Sequence, residues 1–294
     1  MGAFAADTTD LHVHSTVSDG TVAPGALLHE AAAAGLTTIA LTDHDSTAGW
    51  AEAAAEVEAS GVTLIPGMEL SARVEYTSVH LLAYLIDPAH PGLAAETERI
   101  RESRHGRAAE IVRRIERDYP LTWDDVLLHV AEGATIGRPH IADALVARGL
   151  AADRGAAFEG ILHPSSGYVY GHYAPTPPDA VRLIREAGGV PVLAHPGTRG
   201  IDRVIPEDRL RRLVDAGLFG LEINHPENLD ETKPRLHVLA AKYGLRVTGS
   251  SDYHGAGKVN RLGECRTSDE VLAEILRQGT GTAPIRPGAG ARSA

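Results

Sequence analysis

The chain has 294 residues, a formal net charge of −11, 4 % aromatic residues and a single cysteine, Cys265. That length suits one large barrel or sandwich or two modest domains, and the acidic balance argues against duplex DNA, whose partners present a basic, counterion-releasing surface. No apolar run approaches the ~18 residues that cross a bilayer, and one cysteine allows neither an internal disulfide nor a thiolate zinc site. The N-terminal M-G-A-F-A-A-D-T-T-D lacks the charged and apolar regions of an export signal, so the expected setting is cytoplasmic, with no membrane partner.

In chain order, D-L-H-V-H predicts a first strand, and V-A-P-G-A-L-L-H-E-A-A-A-A-G a helix with Pro24 in its first turn and Gly35 past its end. Thr37 to Leu41 predicts a second strand, about Thr47 to Ala59 a helix, then V-T-L-I-P and V-H-L-L-A-Y-L-I two more strands. V-P-V-L-A, L-F-G-L-E-I-N and L-R-V-T-G-S follow later, with helical patterns between them. Apolar strands alternating with helices imply a parallel sheet covered on both faces, and about seven such units imply a closed or nearly closed β/α barrel. The alternation breaks over residues 96–173, which hold an Arg/Glu-rich helix (Thr97 to Arg117), two further helical segments and a Gly-, Tyr- and Pro-rich loop. The chain therefore divides into a barrel in two parts, 1–95 and 174–282, around a small, mainly helical insertion domain at 96–173. Residues 283–294 lack periodicity and are expected to be a disordered tail.

Ionisable residues recur where these strands end. His12 and His14 share a face of the first strand, Asp19 follows, Asp43 and His44 lie after the second, and Glu69 after the third. His80 lies in the fourth strand, and His195, His225 and the pair Asp252 and His254 follow later ones. Carboxyl ends of strands form the active face of such a barrel. One histidine there is unremarkable; six strand ends in turn are not. His29, His90, His105, His129, His163 and His237 fall on helices or loops outside the pattern. Histidines and carboxylates without sulfur suit Mn, Zn or Fe, and two or three clustered ions can drive a phosphoryl displacement.

The motifs H-V-H…D-G, T-D-H-D, G-M-E-L-S, V-H-L-L-A-Y, A-H-P-G and S-D-Y-H-G, in order along nearly the whole chain, resemble the PHP family, named for polymerase and histidinol phosphatase domains. The resemblance implies an α/β fold, a distorted (β/α)7 barrel of TIM-like form, and a trinuclear metal centre. By motif it implies His12, His14, Glu69 and Asp252 around a first ion, with Glu69 bridging to a second held by His80 and His195. Asp19, His44 and His254 would hold a third, although some relatives carry a histidine where Asp19 stands. The insertion with I-G-R-P-H-I-A is similar to that of the stand-alone phosphoesterase branch acting on nucleoside 3′,5′-bisphosphates or trimming short RNA from its 5′ end.

Arg138 and His140 stand at a predicted helix start that favours phosphate, His225 is the candidate for phosphate contact or proton donation, and Arg199 is a weaker phosphate contact. Asp43 is expected to orient a ligating histidine. The expected reaction is hydrolysis of a nucleotide phosphate monoester by a metal-activated hydroxide, most directly a nucleoside 3′,5′-bisphosphate to the 5′-monophosphate, or short 5′-phosphorylated RNA. The competing readings are a histidinol-phosphate or other small-molecule phosphatase, including one for cyclic phosphates, a metal-dependent amidohydrolase, and a non-catalytic metal- or nucleotide-binding module. The sequence sets no oligomeric state.

Overall fold

The computed structural model describes residues 7–75, 77–198 and 206–288. Seven strands form one sheet in sequence order: β1 (Thr9–Val13), β2 (Thr38–Leu41), β3 (Thr63–Val74), β4 (Thr77–Tyr84), β5 (Val190–Leu193), β6 (Gly220–Asn224) and β7 (Arg246–Gly249). Its edges approach through an isolated bridge of Val13 with Tyr253, where His14 N donates to Tyr253 O over 2.9 Å. The sheet thus curls into a nearly closed barrel. Leu11, Ala40, Ile65, Leu82, Tyr84 and Val192 bring β1 to β5 into one apolar cluster, and the Tyr84 hydroxyl donates to Leu11 O over 3.0 Å.

The expectation of a wholly parallel sheet fails at β4, which pairs antiparallel with both β3 and β5. Only Glu75 and Tyr76 separate β3 from β4, and a two-residue link closes a hairpin but cannot make a parallel crossover of a dozen residues. His80 lies opposite Ser71 in this hairpin, two residues from Glu69 along β3.

Helices pack outside the strands. In α1 (Pro24–Ala33), Leu27, Leu28 and Ala31 meet Ile39, Leu41 and Leu64, as the i, i+1, i+4 spacing of one helical face requires. The single helix expected from Thr47 to Ala59 is instead α2 (Trp50–Ala55) and α3 (Val57–Ser60), parted at Glu56. The 25-residue α4 (Pro91–Ile115) starts earlier than expected, with the His90 ring accepting Leu93 N–H. Its Leu93 and Ile100 belong to the main barrel core. One half-helix further on, Ile111 and Ile115 belong to a second core, shared with α5 (Trp123–Leu127), α6 (Arg138–Ala147) and α7 (Arg154–Glu159). One rigid element therefore serves both hydrophobic cores.

The chain returns to the barrel through a loop in which Gly171 meets the Arg73 guanidinium; a Cβ there would stand 1.7 Å from Arg73 Nη1, so a larger residue would displace that guanidinium. α8 (Pro177–Glu186), α9 (Glu207–Asp215), α10 (Lys233–Tyr243) and α11 (Asp269–Gln278) complete the described helices. None is long and apolar enough to cross a membrane. The expected disordered tail needs correction at its start: Ile285 and Leu64 exchange both backbone hydrogen bonds at 2.9 Å, and Ile285 packs on the α1 cluster. Residues 289–294 lie outside the described residues.

Ile285→Pro removes one of those bonds and should lower the urea midpoint by an amount worth about 1 kcal/mol; an unchanged midpoint would mean that this pairing contributes nothing to stability.

Candidate metal centre

The β1 strand and the loops after it place His12, His14 and Asp19 at one end of the barrel, where the loops after β2, β5 and β7 bring His44, His195, Asp252 and His254, and the β3–β4 hairpin brings Glu69 and His80. All nine residues meet in one cluster. Glu69, 1 % exposed, lies at its middle. Its Oε1 is 2.8 Å from His80 Nδ1 and 3.1 Å from His195 Nε2, and its Oε2 is 3.1 Å from both His14 Nε2 and His44 Nδ1 and 3.3 Å from His12 Nε2. Burial raises the cost of its charge, yet His44, His80 and His12 hold it well below the usual carboxylate range. One carboxylate thus faces two groups of imidazoles, one with each oxygen.

Asp252 forms a second centre: its Oδ1 is 3.4 Å from His12 Nε2, His14 Nε2 and His254 Nδ1 alike. Asp19 Oδ1 is 3.2 Å from His254 Nε2, and its Oδ2 is 3.7 Å from His44 Nε2. Among the described residues, three of the five non-glycine residues with positive φ, Asp45, His195 and Asp252, stand in or beside this cluster. Backbone strain of that kind persists where surrounding contacts enforce it.

Hydrogen bonds fix which ring nitrogen carries a lone pair. His12 Nδ1 donates to Glu222 Oε1 over 3.0 Å, so its lone pair is at Nε2. The Ser18 hydroxyl donates to Asp43 Oδ1 over 2.6 Å and so accepts from His14 Nδ1 over 3.2 Å, leaving the His14 lone pair at Nε2 as well. These two Nε2 atoms converge to 3.0 Å. Two lone pairs facing each other repel unless a cation lies between or beside them. Without a metal a proton can take that part: burial pushes His14 down, but Asp252 and Glu69 carry it up to about 9. Among the described residues, five sets of three ligand atoms fall within 4.8 Å of one another: His12/His14/Glu69, His44/Glu69/His80, His14/Asp19/His44, His14/Asp252/His254 and His12/His225/Asp252. A buried, oxygen- and nitrogen-only donor set with its lone pairs preset inward fits divalent metal ions.

Asp43 does not touch a histidine. It takes Ser15 N, the Ser15 hydroxyl and the Ser18 hydroxyl, and acts on His14 through Ser18. His225 is fully buried beside Asp252: its Nδ1 accepts from Glu227 N over 3.1 Å, which puts a hydrogen on Nε2, 3.5 Å from Asp252 Oδ2 and without a hydrogen-bond partner among the described residues. Asp43 thus bears on the His14 ring through Ser18 rather than by direct contact, and His225 stands behind Asp252. His140 is buried as well, its Nδ1 accepting Gly137 N–H over 3.0 Å at the start of α6, and it takes no part in lining the cleft described next. Arg199 lies outside the described residues.

A cavity of about 710 Å³ opens from His44, His80 and Asp19 towards the insertion. Arg73, Arg104, Arg107 and Arg138 line it, with His172, Phe158 and Tyr170. Burial, then Arg104 and Arg138, push the Arg107 guanidinium down to about 9, and burial with Arg104 and Arg107 pushes His172 far down, so its ring is neutral. His172 Nδ1 accepts from Arg107 Nη1 over 3.1 Å, which puts its hydrogen on Nε2. That Nε2 and Arg107 Nε are buried donors with no hydrogen-bond partner among the described residues. Each such donor costs free energy until an acceptor arrives. The sequence pattern missed Glu222, His172 and the arginines of α4. Glu222, like Asp10 and Glu69, is an acidic residue inside an apolar strand and could have been found by that signal, whereas nothing local distinguishes His172.

A barrel mouth that gathers buried imidazoles and carboxylates beside a cationic cleft defines a metal-dependent hydrolase of anionic substrates. Comparison with known proteins sharpens that class. The PHP domain model matches residues 10–121. The chain is 35 % identical to a 3′,5′-nucleoside bisphosphate phosphatase of Chromobacterium violaceum over 92 % of its own length and 95 % of the relative's, and 34 % identical to a 5′-3′ exoribonuclease of Salmonella typhimurium over 86 % and 89 %. A crystal structure described as that of a metal-dependent phosphoesterase from Bifidobacterium adolescentis superposes with a TM-score of 0.91 at 41 % identity, covering 94 % of this chain and 98 % of the other. The chain belongs to the PHP family and is a metal-dependent phosphoesterase.

Glu222, held to about 2 against burial by His12, His225 and His195, anchors the His12 ring. Glu222→Gln should weaken Mn²⁺ binding by roughly 10-fold or more, as loss of an outer-shell partner does; a titration curve matching the unaltered protein would remove Glu222 from the support of the site.

Proposed function

We propose that the chain removes one phosphate from a nucleotide that carries two, with a nucleoside 3′,5′-bisphosphate as substrate and the 5′-monophosphate as product. The observation that carries this reading is the pairing of two anion sites in one cavity: the imidazole–carboxylate cluster at one end, and the unpartnered Arg107 Nε and His172 Nε2 among four arginines at the other. A simple monophosphate bound at the first would leave the second unfilled.

His12, His14, Glu69 and Asp252 would hold one divalent ion, Glu69 with His80 and His195 a second, and Asp19, His44 and His254 a third, with Mn, Zn or Fe suited to the donors. When bound, the ions supply an activated water and neutralise the charge that builds on the phosphate oxygens. The protein's own groups do the rest. Glu222 and the Ser18–Asp43 pair keep the His12 and His14 lone pairs directed inward. Arg107, Arg138 and His172 anchor the phosphate that is kept, and so set which ester faces the metals. Phe158 and Tyr170 offer aromatic surface to the nucleoside, with the Arg138 guanidinium 5.3 Å from the Phe158 ring centre. His225 lies behind Asp252, its Nε2 3.5 Å from Asp252 Oδ2. Four arginines line this cleft of an acidic chain, a setting that suits small anions better than a long strand. A cytoplasmic setting, with its nucleotides, is the natural one for this activity.

The test is phosphate release by Mn²⁺-loaded protein from adenosine 3′,5′-bisphosphate, with AMP, a cyclic nucleotide, histidinol phosphate and short 5′-phosphorylated RNA alongside. The bisphosphate should have the highest kcat/KM. Arg107→Met and Arg138→Ala should raise its KM by roughly 10- to 100-fold with little change in kcat, the value of a charge-assisted hydrogen bond, and His12→Ala should abolish turnover. Equal or faster turnover of AMP would overturn the two-phosphate reading.

A further inference from the structure

Arg104 stands where α4 passes from the barrel core to the core of the insertion, and it is 6 % exposed. Although it lines the substrate cavity, two of its nitrogens face the other way. Its Nε donates to Asp45 Oδ2 over 2.8 Å, and its Nη2 donates to the Ser71 hydroxyl over 2.7 Å. Asp45 accepts Ser71 N over 2.7 Å and the Ser71 hydroxyl over 2.8 Å. All three residues of this clamp are buried.

What the clamp holds is a corner of the metal centre. Asp45 follows His44 directly, in a left-handed conformation at φ 51° that a non-glycine residue keeps only under constraint. Its backbone N–H donates to Glu69 O over 3.0 Å, and His44 and Glu69 form an isolated bridge. Ser71 lies two residues beyond Glu69 on the same strand, so its side chain leaves β3 on the side from which Glu69 leaves. The clamp thus sets the spacing between the His44 ring and the Glu69 carboxylate. On the other side, a Cβ on Gly137, the residue that precedes α6, would stand 3.7 Å from Arg104 Nη1, so the guanidinium lies at contact distance from the start of α6. One side chain thereby touches the loop of His44, the strand of Glu69 and the insertion.

We propose that Arg104 is a positioning residue through which the insertion domain sets the metal affinity of the His44–Glu69 corner, acting by way of Asp45 and Ser71 rather than on the substrate. This rests on the metal assignment given above. Arg107, one turn further along α4, lines the same cavity but reaches His172, not Asp45, and so serves as the internal control.

The experiment is Mn²⁺ binding to substrate-free protein, followed by the loss of the free-ion electron paramagnetic resonance signal. Arg104→Met and Asp45→Asn should each raise the dissociation constant of the weakest site about 10-fold. The double variant should be no worse than either single one, because both break the same clamp. Arg104→Lys, which keeps the charge but cannot make both contacts, should fall between, and it decides the matter if Arg104→Met does not fold. Arg107→Met should leave the curve unchanged and raise KM alone. Mn²⁺ binding unaltered in Arg104→Met or Arg104→Lys, with the defect confined to KM, would overturn the proposal and make Arg104 an ordinary substrate contact. Additive effects of Arg104→Met and Asp45→Asn would overturn it too. Failure of the unsubstituted protein to bind Mn²⁺ would instead overturn the metal centre itself.

Discussion

The carboxylate of Glu69 has almost no exposed surface and five imidazoles around it, two at one oxygen and three at the other. Removing such a charge from water is costly, and it becomes tolerable only when cations or hydrogen-bond donors replace the lost solvent. That single requirement organises the molecule. The strands and loops after β1, β2 and β5 and the β3–β4 hairpin must converge on one point, and a barrel is the architecture that brings so many strand ends together. The hairpin belongs to the same solution, since reversing β4 places His80 beside Glu69 across adjacent strands.

Around that centre runs a shell of groups whose work is orientation. Glu222 directs His12, Ser18 and Asp43 direct His14, and Glu227 N directs His225. Each imidazole has two nitrogens, and only one can face a ligand, so a partner for the other decides the chemistry. The shell reaches the insertion through Arg104, Asp45 and Ser71. Because α4 belongs to the cores on both sides, displacement of the insertion is resisted by close packing rather than by a flexible joint. The insertion also supplies most of the arginines of the cleft, giving an acidic protein a basic recess that opens on the metal-binding end.

The seven-unit barrel with an inserted helical region was legible because apolar runs separated by amphipathic helices have few other arrangements. The nine residues that meet at the barrel mouth were legible for a related reason: strand ends in such a barrel point to one place, so residues far apart in sequence needed no contact information to be grouped. The direction of β4 was less so, since apolar composition is the same in either direction, and only the two-residue link before Thr77 carried the signal. His225 and His140 were read as open to substrate because their positions sit at a strand end and a helix start. Burial closed both. Ile285 looked unstructured because a one-residue bridge leaves no periodicity to detect.

The sequence by itself determined which elements form and which residue types gather at the barrel's end, because both follow from periodicity and from the topology that periodicity allows. Only the tertiary structure decided which of those residues face one another, which nitrogen each ring presents, and which arginines turn inward. Those outcomes depend on distances of a few ångströms between segments remote in the chain, such as Arg104 and Asp45 or His12 and Glu222. No local pattern encodes such a pairing, because its free energy arises from mutual burial, which exists only once the whole barrel has closed.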